Sequence, residues 1–333
     1  MVVQDVDTLK ILINMIRVLL ALRKISGVGD AFIKKNLSVF NLKTADEVIE
    51  QLSKITDRVS FETISEHLNW AENVVRRCNE LNIKILPIYS LDYPKNLKEL
   101  SNPPSVLYLL GNTSLLDRPI ISLIGTRKST ILGSRIANKV GAYFSQEYSI
   151  CNGLVDGIDR SSIENEDSVY PNVVGILSGG LNFKTTSSKT TLELAKKVLK
   201  QNGLLLSEVE PDQKEDQYSG SKSSRIQAGI SSVLILIQSS IDGGSKYTIK
   251  SFSKLNRTIG YISFTGNYEY NSNSSFSANR MFDELGIDGV AKMCDLKKSN
   301  SLNIKKLVPI HSVTDYRAII EELKTNHQSK FLF

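Results

Sequence analysis

The stretch from Pro119 to Gly133 has the composition of a phosphate-binding loop. A short apolar run, residues 120–124, precedes a turn of glycine, hydroxyl and basic residues, and helical spacing of apolar residues begins near Ser134. Such a loop offers free backbone N–H groups, the positive end of a helix dipole and two cationic side chains, so it suits an anionic phosphate. Its glycines are too far apart for the dinucleotide fingerprint, and a plain tight turn is the alternative interpretation.

Three further loops follow predicted strands and share this composition of glycine, hydroxyl and charged residues. They cover residues 152–160, 207–229 and 242–245, and the last one opens a helix. Since the carboxyl ends of parallel strands meet at one edge of a sheet, we expect the four loops to line a polar groove there, although each could be ordinary turn chemistry. The residues predicted to contact phosphate or nucleic acid are Gly125, Thr126, Arg127, Lys128, Ser129, Thr130, Gly133, Asn152, Gly153, Gly157, Arg225, Gly243, Gly244, Ser245, Lys246 and Lys250.

The helix predicted over residues 246–255 carries a row of cations. Lys246, Lys250 and Lys254 recur at intervals of four residues, and Arg257 follows. We therefore expect one cationic ridge, with the apolar face of the helix turned to the sheet. A solvated helix face is the alternative, but the position at the strand ends favours an anionic ligand.

The cysteines and histidines argue against catalysis and metal binding. Cys78, Cys151 and Cys294 lack the paired spacing of a zinc site or a disulfide framework, which fits a reducing cytoplasm. The three histidines lie far from the glycine-rich loops, so we predict no catalytic residue, no metal and no cofactor. Residues 9–22 are too short and too charged to span a bilayer and predict an amphipathic helix. The net charge of +6 permits a nucleic-acid partner without requiring one.

The pattern of apolar residues divides the chain into three parts. The pattern over residues 1–82 predicts an all-helical domain, including helices over 45–54 and 61–81. The turn at residues 25–32 fits either a helix-hairpin-helix or a close crossing of two helices. Residues 83–118 predict an ordered connector with short strands bracketed by prolines. Residues 119–333 alternate strands and helices, which predicts an α/β fold with a Rossmann-like, doubly wound, mainly parallel sheet. Its strands are expected at 120–124, 149–151, 173–177, 204–207, 233–237, 258–262 and 307–310, its other helices at 192–199 and 313–323, and a loop at 271–279.

Several short sequence blocks occur in this chain in an order typical of one protein family. They lie in the connector and in the four loops that follow predicted strands. The blocks are Tyr93-Pro94, Leu97, Pro103-Pro104, Leu107-Tyr108, Gly111, then Gly125-Thr126-Arg127, Thr130, Gly133, then 152–159, Ser207-Glu208, 225–231 and Gly243-Gly244-Ser245.

Together these blocks, over roughly residues 10–300, resemble the DNA-processing protein A (DprA/Smf) family. The resemblance implies a helical SAM-like N-terminal domain and an extended Rossmann-like domain. It also implies single-stranded DNA in a basic pocket at the strand ends, a homodimer, and delivery of DNA to a RecA-like recombinase. No catalysis is implied, and sequence-independent phosphate contacts agree with the residues present.

The chain departs from that family pattern at three places. Asp156 stands where the family has arginine, and Ile163 stands where it has histidine. The family's Phe-Pro-x-Arg-Asn-Arg block becomes residues 220–225, which keep one arginine and no aromatic ring. Loss of a base-stacking ring costs roughly 1–3 kcal/mol of binding. After Ile310 we expect no room for the winged-helix domain that some relatives carry.

Three functions are compatible with these residues. The first is a non-enzymatic DNA-binding protein that assists recombination or DNA processing, by analogy a specialised paralogue in a phage-defence or mobile-element locus. The second is a nucleotide sensor: residues 243–250 resemble a phosphoribohydrolase loop, but Lys250 stands where the catalytic glutamate would be, which disfavours hydrolysis. The third is an interaction or regulatory module, that is, a partner or antitoxin of a neighbouring effector. In this case the groove of the chain has lost its capacity to bind DNA.

Overall fold

A nine-stranded sheet forms the centre of the protein in the computed structural model, which describes residues 6–41, 44–216 and 219–328. The strands are β1 Lys84–Pro87, β2 Val106–Gly111, β3 Ile120–Gly125, β4 Ser149–Asn152, β7 Val173–Ile176, β8 Leu204–Ser207, β9 Val233–Gln238, β10 Arg257–Ile262 and β11 Ile304–Ile310, with a separate hairpin of β5 Glu164–Asn165 and β6 Ser168–Val169. The spatial order of the nine strands in the sheet is β1-β2-β8-β7-β4-β3-β9-β10-β11. β2 pairs antiparallel with both β1 and β8, and the remaining pairs are parallel.

The central strands are buried on both faces because nearly all their side chains are apolar. β3, β4, β7, β8 and β9 are buried over almost their whole length. Helices cover the sheet on both sides. They are α5 Lys95–Lys98, α6 Ile131–Phe144, α7 Ile158–Ile163, α8 Phe183–Thr186, α9 Lys189–Lys200, α10 Ser219–Ile230, α11 Ser245–Phe252, α12 Tyr268–Ser272, α13 Ser277–Leu285, α14 Ile287–Met293 and α15 Tyr316–Gln328.

The strand order reverses between β3 and β9. From β3 the chain proceeds to β4, β7 and β8 on one side, whereas from β9 it proceeds to β10 and β11 on the other. Because each crossover is right-handed, α6 after β3 and α11 after β9 lie on opposite faces of the sheet. A crevice therefore opens at the carboxyl ends of β3 and β9, where ligands of doubly wound sheets bind.

Four helices precede the sheet: α1 Val6–Leu22, α2 Asp30–Lys35, α3 Ala45–Ser53 and α4 Phe61–Glu80. Capping boxes at Thr44 and Ser60 fix the starts of α3 and α4. The turn between α1 and α2 packs inward, because Val28 is fully buried and the Asp30 carboxylate accepts hydrogen bonds from the backbone N–H (3.0 Å) and hydroxyl of Ser105. Asp30 therefore ties this turn to the connector. A Cβ on Gly29 would meet no atom within 4 Å and one on Gly27 would meet the Arg58 side chain, so these glycines do not lie at a close crossing of two helices.

The α/β fold class and its doubly wound, mainly parallel sheet are confirmed. Within residues 83–118, β1 and β2 form an antiparallel edge of the sheet. The loop predicted at 271–279 is wrong, because that segment holds the end of α12, a 3-10 turn at Ser274–Phe276 and the start of α13. The loop predicted at 207–229 is also partly helical, since α10 begins at Ser219. No helix in the described ranges is long and apolar enough to cross a membrane.

Candidate nucleic-acid interface

The loop between β3 and α6 is tied together by hydrogen bonds. Thr130 caps α6, and its hydroxyl accepts a hydrogen bond from the N–H of Gly133 at 3.0 Å. The side chain of Gln238, fully buried at the end of β9, accepts a hydrogen bond from the N–H of Thr130 at 3.1 Å. The N–H of Thr126 donates to the carbonyl of Gln238 at 2.8 Å, and that of Lys128 to the Thr126 hydroxyl at 3.1 Å. Four N–H groups of the predicted phosphate loop are therefore used within the protein.

Close backbone contacts place the second loop directly beside the first. The N–H of Ile158 donates to the carbonyl of Thr126 at 3.1 Å. Gly157 has a φ of +80°, and a Cβ there would overlap that same carbonyl oxygen. A Cβ on Gly133 would likewise overlap the side-chain oxygen of Gln238. These glycines permit the loops to approach each other, which is a structural role.

Arg127 and Lys128 are the cations that this loop presents to solvent. Both side chains are exposed, and neither has an ion-pair partner within 4 Å among the residues that the structure describes. They lie at the amino end of α6, beside the crevice between β3 and β9. Their charge and the helix dipole both favour a phosphate at this point. Ser129 lies with them, and its hydroxyl is 2.7 Å from that of Ser134.

The predicted contacts Asn152 and Gly153 serve to build the second loop. Asn152 is fully buried, and its amide donates to the carbonyl of Asp159 at 3.0 Å and to the hydroxyl of Ser162 at 3.1 Å. The N–H of Gly153 donates to the Asp159 carboxylate at 2.8 Å. Burial raises the pKa of Asp159 to about 7, in spite of these N–H donors and the charge of Arg127. The side chain of Asn152 is therefore not available to a ligand.

Asp156, which replaces the arginine of the family pattern, is held by neighbouring side chains. Its carboxylate lies 3.3 Å from Nε of Arg160 and accepts a hydrogen bond from the Thr190 hydroxyl at 2.8 Å. Arg160 also pairs with Glu164 at 2.9 Å and with Glu193 at 3.1 Å. Lys197 pairs with the same two glutamates at 3.0 Å and 3.4 Å. Three carboxylates therefore face two cations, and Asp156 is held within this ion-pair cluster.

Arg225 lies on α10 and does not reach the crevice as a free cation. Its guanidinium pairs with Glu208 and donates to the carbonyl of Asn102 at 2.7 Å. Asp30 of α2 lies 3.9 Å from the same group, and Arg23, directly after α1, donates to the backbone carbonyl of Glu208 at 3.1 Å. Burial raises the pKa of Glu208, against the opposing effect of Arg225. These charges join the helical N-terminal part to the sheet, so the predicted phosphate contact at Arg225 has a structural use.

The fourth loop borders the other side of the crevice. The N–H of Gly243 donates to the carbonyl of Ser240 at 3.0 Å, Gly244 faces open space, and the buried Ser245 begins α11. Lys246 pairs with Asp295 at 3.3 Å, whereas Lys250 has no ion-pair partner within the described ranges.

The cationic ridge predicted from residue 246 onward is shorter than expected. Lys254 lies beyond the end of α11. Arg257 is buried at the amino end of β10, where it donates to the carbonyls of Gly229 (2.8 Å) and Ser231 (2.6 Å). The ridge therefore consists of Lys246 and Lys250 alone.

Sequence reasoning missed two features of this site. Gln238 links the first loop to Ser275, and the only signal was a polar residue at the end of an apolar run. Arg135 and Lys139 extend the positive charge of Arg127 along α6, at a four-residue spacing that could have been recognised. No group of three or more histidine, cysteine or acidic residues able to hold a metal occurs in the part of the chain that the structure describes.

Residues 84–294 match the family model for DNA recombination-mediator protein A. DNA processing protein DprA of Bacillus subtilis (strain 168) is 30% identical over 177 residues, which are 53% of this chain and 59% of that protein. Protein Smf of Escherichia coli (strain K12) is 24% identical over 232 residues, 69% of this chain and 62% of that protein. The chain therefore matches between about half and two thirds of the length of these relatives.

Two solved structures share the fold. The X-ray structure of DNA processing protein A from Streptococcus pneumoniae has a TM-score of 0.64 at 18% identity and covers 92% of this chain and 97% of that chain. A structure concerned with the single-stranded DNA binding mode of DNA processing protein A from Helicobacter pylori has a TM-score of 0.52 at 24% identity, over 61% of this chain and 87% of that chain.

Proposed function

The chain belongs to the DNA recombination-mediator protein A family, and on this premise we propose that it binds single-stranded DNA at the crevice between β3 and β9. The bound strand is handed on for recombination or DNA processing, and no chemical reaction is catalysed. The relative from Helicobacter pylori is described as binding single-stranded DNA, which supports the same ligand class here.

The observation that carries the proposal is the pair of exposed cations Arg127 and Lys128 beside the reversal of strand order. Cations without ion-pair partners in the described structure are free to replace the counterions of a nucleic-acid backbone. The amino end of α11, which follows β9, is the second helix start at this reversal of strand order. Contacts of this kind recognise the phosphate and carry no base specificity.

The remaining parts of the proposal follow from family membership. We assign the protein to the cytoplasm as a homodimer that passes DNA to a RecA-like recombinase. A second function, as a module that binds a neighbouring effector protein, is favoured by one observation: Arg225 is occupied by Glu208, so the groove has fewer free cations than the family pattern provides. A place in phage defence would belong to this second function.

The test is a fluorescence-anisotropy titration of a labelled single-stranded oligonucleotide at low salt. Arg127→Ala removes one charge-assisted contact and is expected to weaken binding about tenfold. Arg118→Ala is the matched control, because Arg118 is equally exposed and lies two residues before β3, whereas Arg127 lies two residues after it, at the opposite edge of the sheet. The proposal fails if the wild-type protein does not bind, or if both variants bind alike.

A further inference from the structure

The outer face of α6 continues the positive charge of Arg127 away from the loop. Ile131, Arg135, Lys139 and Tyr143 follow one another at four-residue intervals and therefore lie on one side of the helix. All four are exposed, and in the described structure neither Arg135 nor Lys139 has an ion-pair partner within 4 Å. At 1.5 Å per residue, Lys139 lies about 12 Å along α6 from its first residue.

This row of side chains ends at a cavity of about 310 Å³ between α6, the carboxyl ends of β10 and β11, and the start of α15. Its walls include Lys139, Tyr143, Ser263, Phe264 and His311. Tyr143 and Phe264 are 44% and 39% exposed, which is high for aromatic rings. Such a volume is at the lower end of the range for small-ligand sites and holds one planar heterocycle, not a helix.

The geometry of the cavity suits a flat ring with polar edges. The Tyr143 ring packs against the Tyr316 ring with centroids 4.8 Å apart, so its position is fixed by the core beneath it. Nδ1 of His311 lies 3.2 Å from the carbonyl oxygen of Ser263, and a hydrogen on Nδ1 leaves Nε2 as an acceptor. The nearby Asp315 carboxylate already accepts the N–H groups of His311 (2.8 Å) and Ser312 (3.0 Å).

We propose that this cavity holds one nucleobase of the bound strand, stacked on Tyr143 and Phe264, while Arg135 and Lys139 contact the phosphates that lead to it from Arg127. The inference rests on the proposed function and specifies the path of the strand. Negative phosphates match the cations on α6, and a base matches the aromatic walls. The cavity also supplies the aromatic contact that residues 220–225 do not provide.

The test measures how tightly the wild-type protein and the Tyr143→Leu variant bind two oligonucleotides of equal length. One oligonucleotide consists of thymidines and the other of abasic sites. Tyr143→Leu keeps a smaller apolar side chain against Tyr316 but removes the ring. We expect it to weaken binding of the thymidine strand about tenfold and of the abasic strand less than twofold. Tyr143→Phe keeps the ring and should bind both strands as the wild type does.

Lys139→Ala should weaken the binding of both oligonucleotides to the same extent. Lys200→Ala is its matched control, because Lys200 is also exposed but lies on α9. An equal effect of Tyr143→Leu on both strands, or no effect, overturns the base site. If single-strand binding depends on Arg127 but not on Tyr143, the base site is rejected and the proposed function stands. A wild-type protein that binds neither strand removes the proposed function as well, and the cavity then accommodates an apolar side chain of a partner protein.

Discussion

The side chain of Gln238 reaches from the end of β9 into the loop after β3 and accepts the backbone N–H of Thr130 at 3.1 Å. Its amide nitrogen donates to the hydroxyls of Thr130 at 3.3 Å and Ser275 at 2.6 Å. One buried amide therefore joins three segments across the reversal of strand order. Because it fixes the loop that carries Arg127, it positions the proposed phosphate contact without touching the ligand.

Two glycines of the candidate site differ in what a side chain would meet. Gly157→Ala forces a Cβ against the carbonyl of Thr126 at a φ of +80° and should lower the free energy of unfolding by about 2 kcal/mol. Gly244→Ala is the matched control, since nothing lies within 4 Å of its Cβ, and it should change stability by less than about 0.5 kcal/mol. Urea unfolding measures both, and equal losses would contradict the close approach of the two loops.

Asp159 should make stability depend on pH. Burial raises its pKa in the folded protein to about 7, from an ordinary value of about 3.9, so the folded state retains the proton where the unfolded chain has lost it. This contribution to stability is complete below about pH 4 and is lost as the pH rises to about 7. Asp159→Asn should remove that part of the pH dependence of the unfolding midpoint.

Asp156→Asn is the control for Asp159, because the Asp156 side chain is well exposed and ion-paired with Arg160. Its pH profile between 4 and 7 should follow that of the wild type. If Asp159→Asn also leaves the profile unchanged, the assignment of a raised pKa to Asp159 is contradicted.

Arg225 should matter for stability more than for DNA contact. Arg225→Met leaves the carboxylate of Glu208 largely buried without its partner and is expected to lower the free energy of unfolding by about 3 kcal/mol. The double variant with Glu208→Gln should recover much of that loss, because the uncompensated charge is gone. At a temperature where all variants are folded, single-strand affinity should stay within about twofold of wild type. A tenfold loss of affinity in the double variant would show that Arg225 contacts DNA.

The sheet could be predicted from sequence because its central strands are unbroken apolar runs. Residues 204–206 and 233–237 are all apolar and fully buried, as the pattern predicts for strands covered on both faces. The segment 271–279 was misjudged because serine and asparagine suggest a loop, yet Asn267 and Asn273 act as caps that start short helical turns. Composition alone does not distinguish a cap from a loop.

The candidate site was predictable in position but less so in detail. Arg127 and Lys128 lie where the strand–loop–helix pattern places them. Arg225 could not be assigned from sequence, since its partner Glu208 and the more distant Asp30, 3.9 Å away, meet it only in the folded protein. The use of Asn152 was hidden for the same reason, because the Asp159 carbonyl and the Ser162 hydroxyl that accept its amide hydrogens come close to it only when the chain folds.

The most direct test of the account is the salt dependence of single-strand binding. For the wild-type protein, the logarithm of the binding constant should fall linearly with the logarithm of salt concentration, and each phosphate contact adds about 0.7 to the slope. Removing both cations in Arg127→Ala/Lys128→Ala should reduce the slope by about 1.4, whereas Arg118→Ala should leave it unchanged. An unchanged slope in the double variant, or wild-type binding that is insensitive to salt, would contradict a phosphate-holding crevice between β3 and β9.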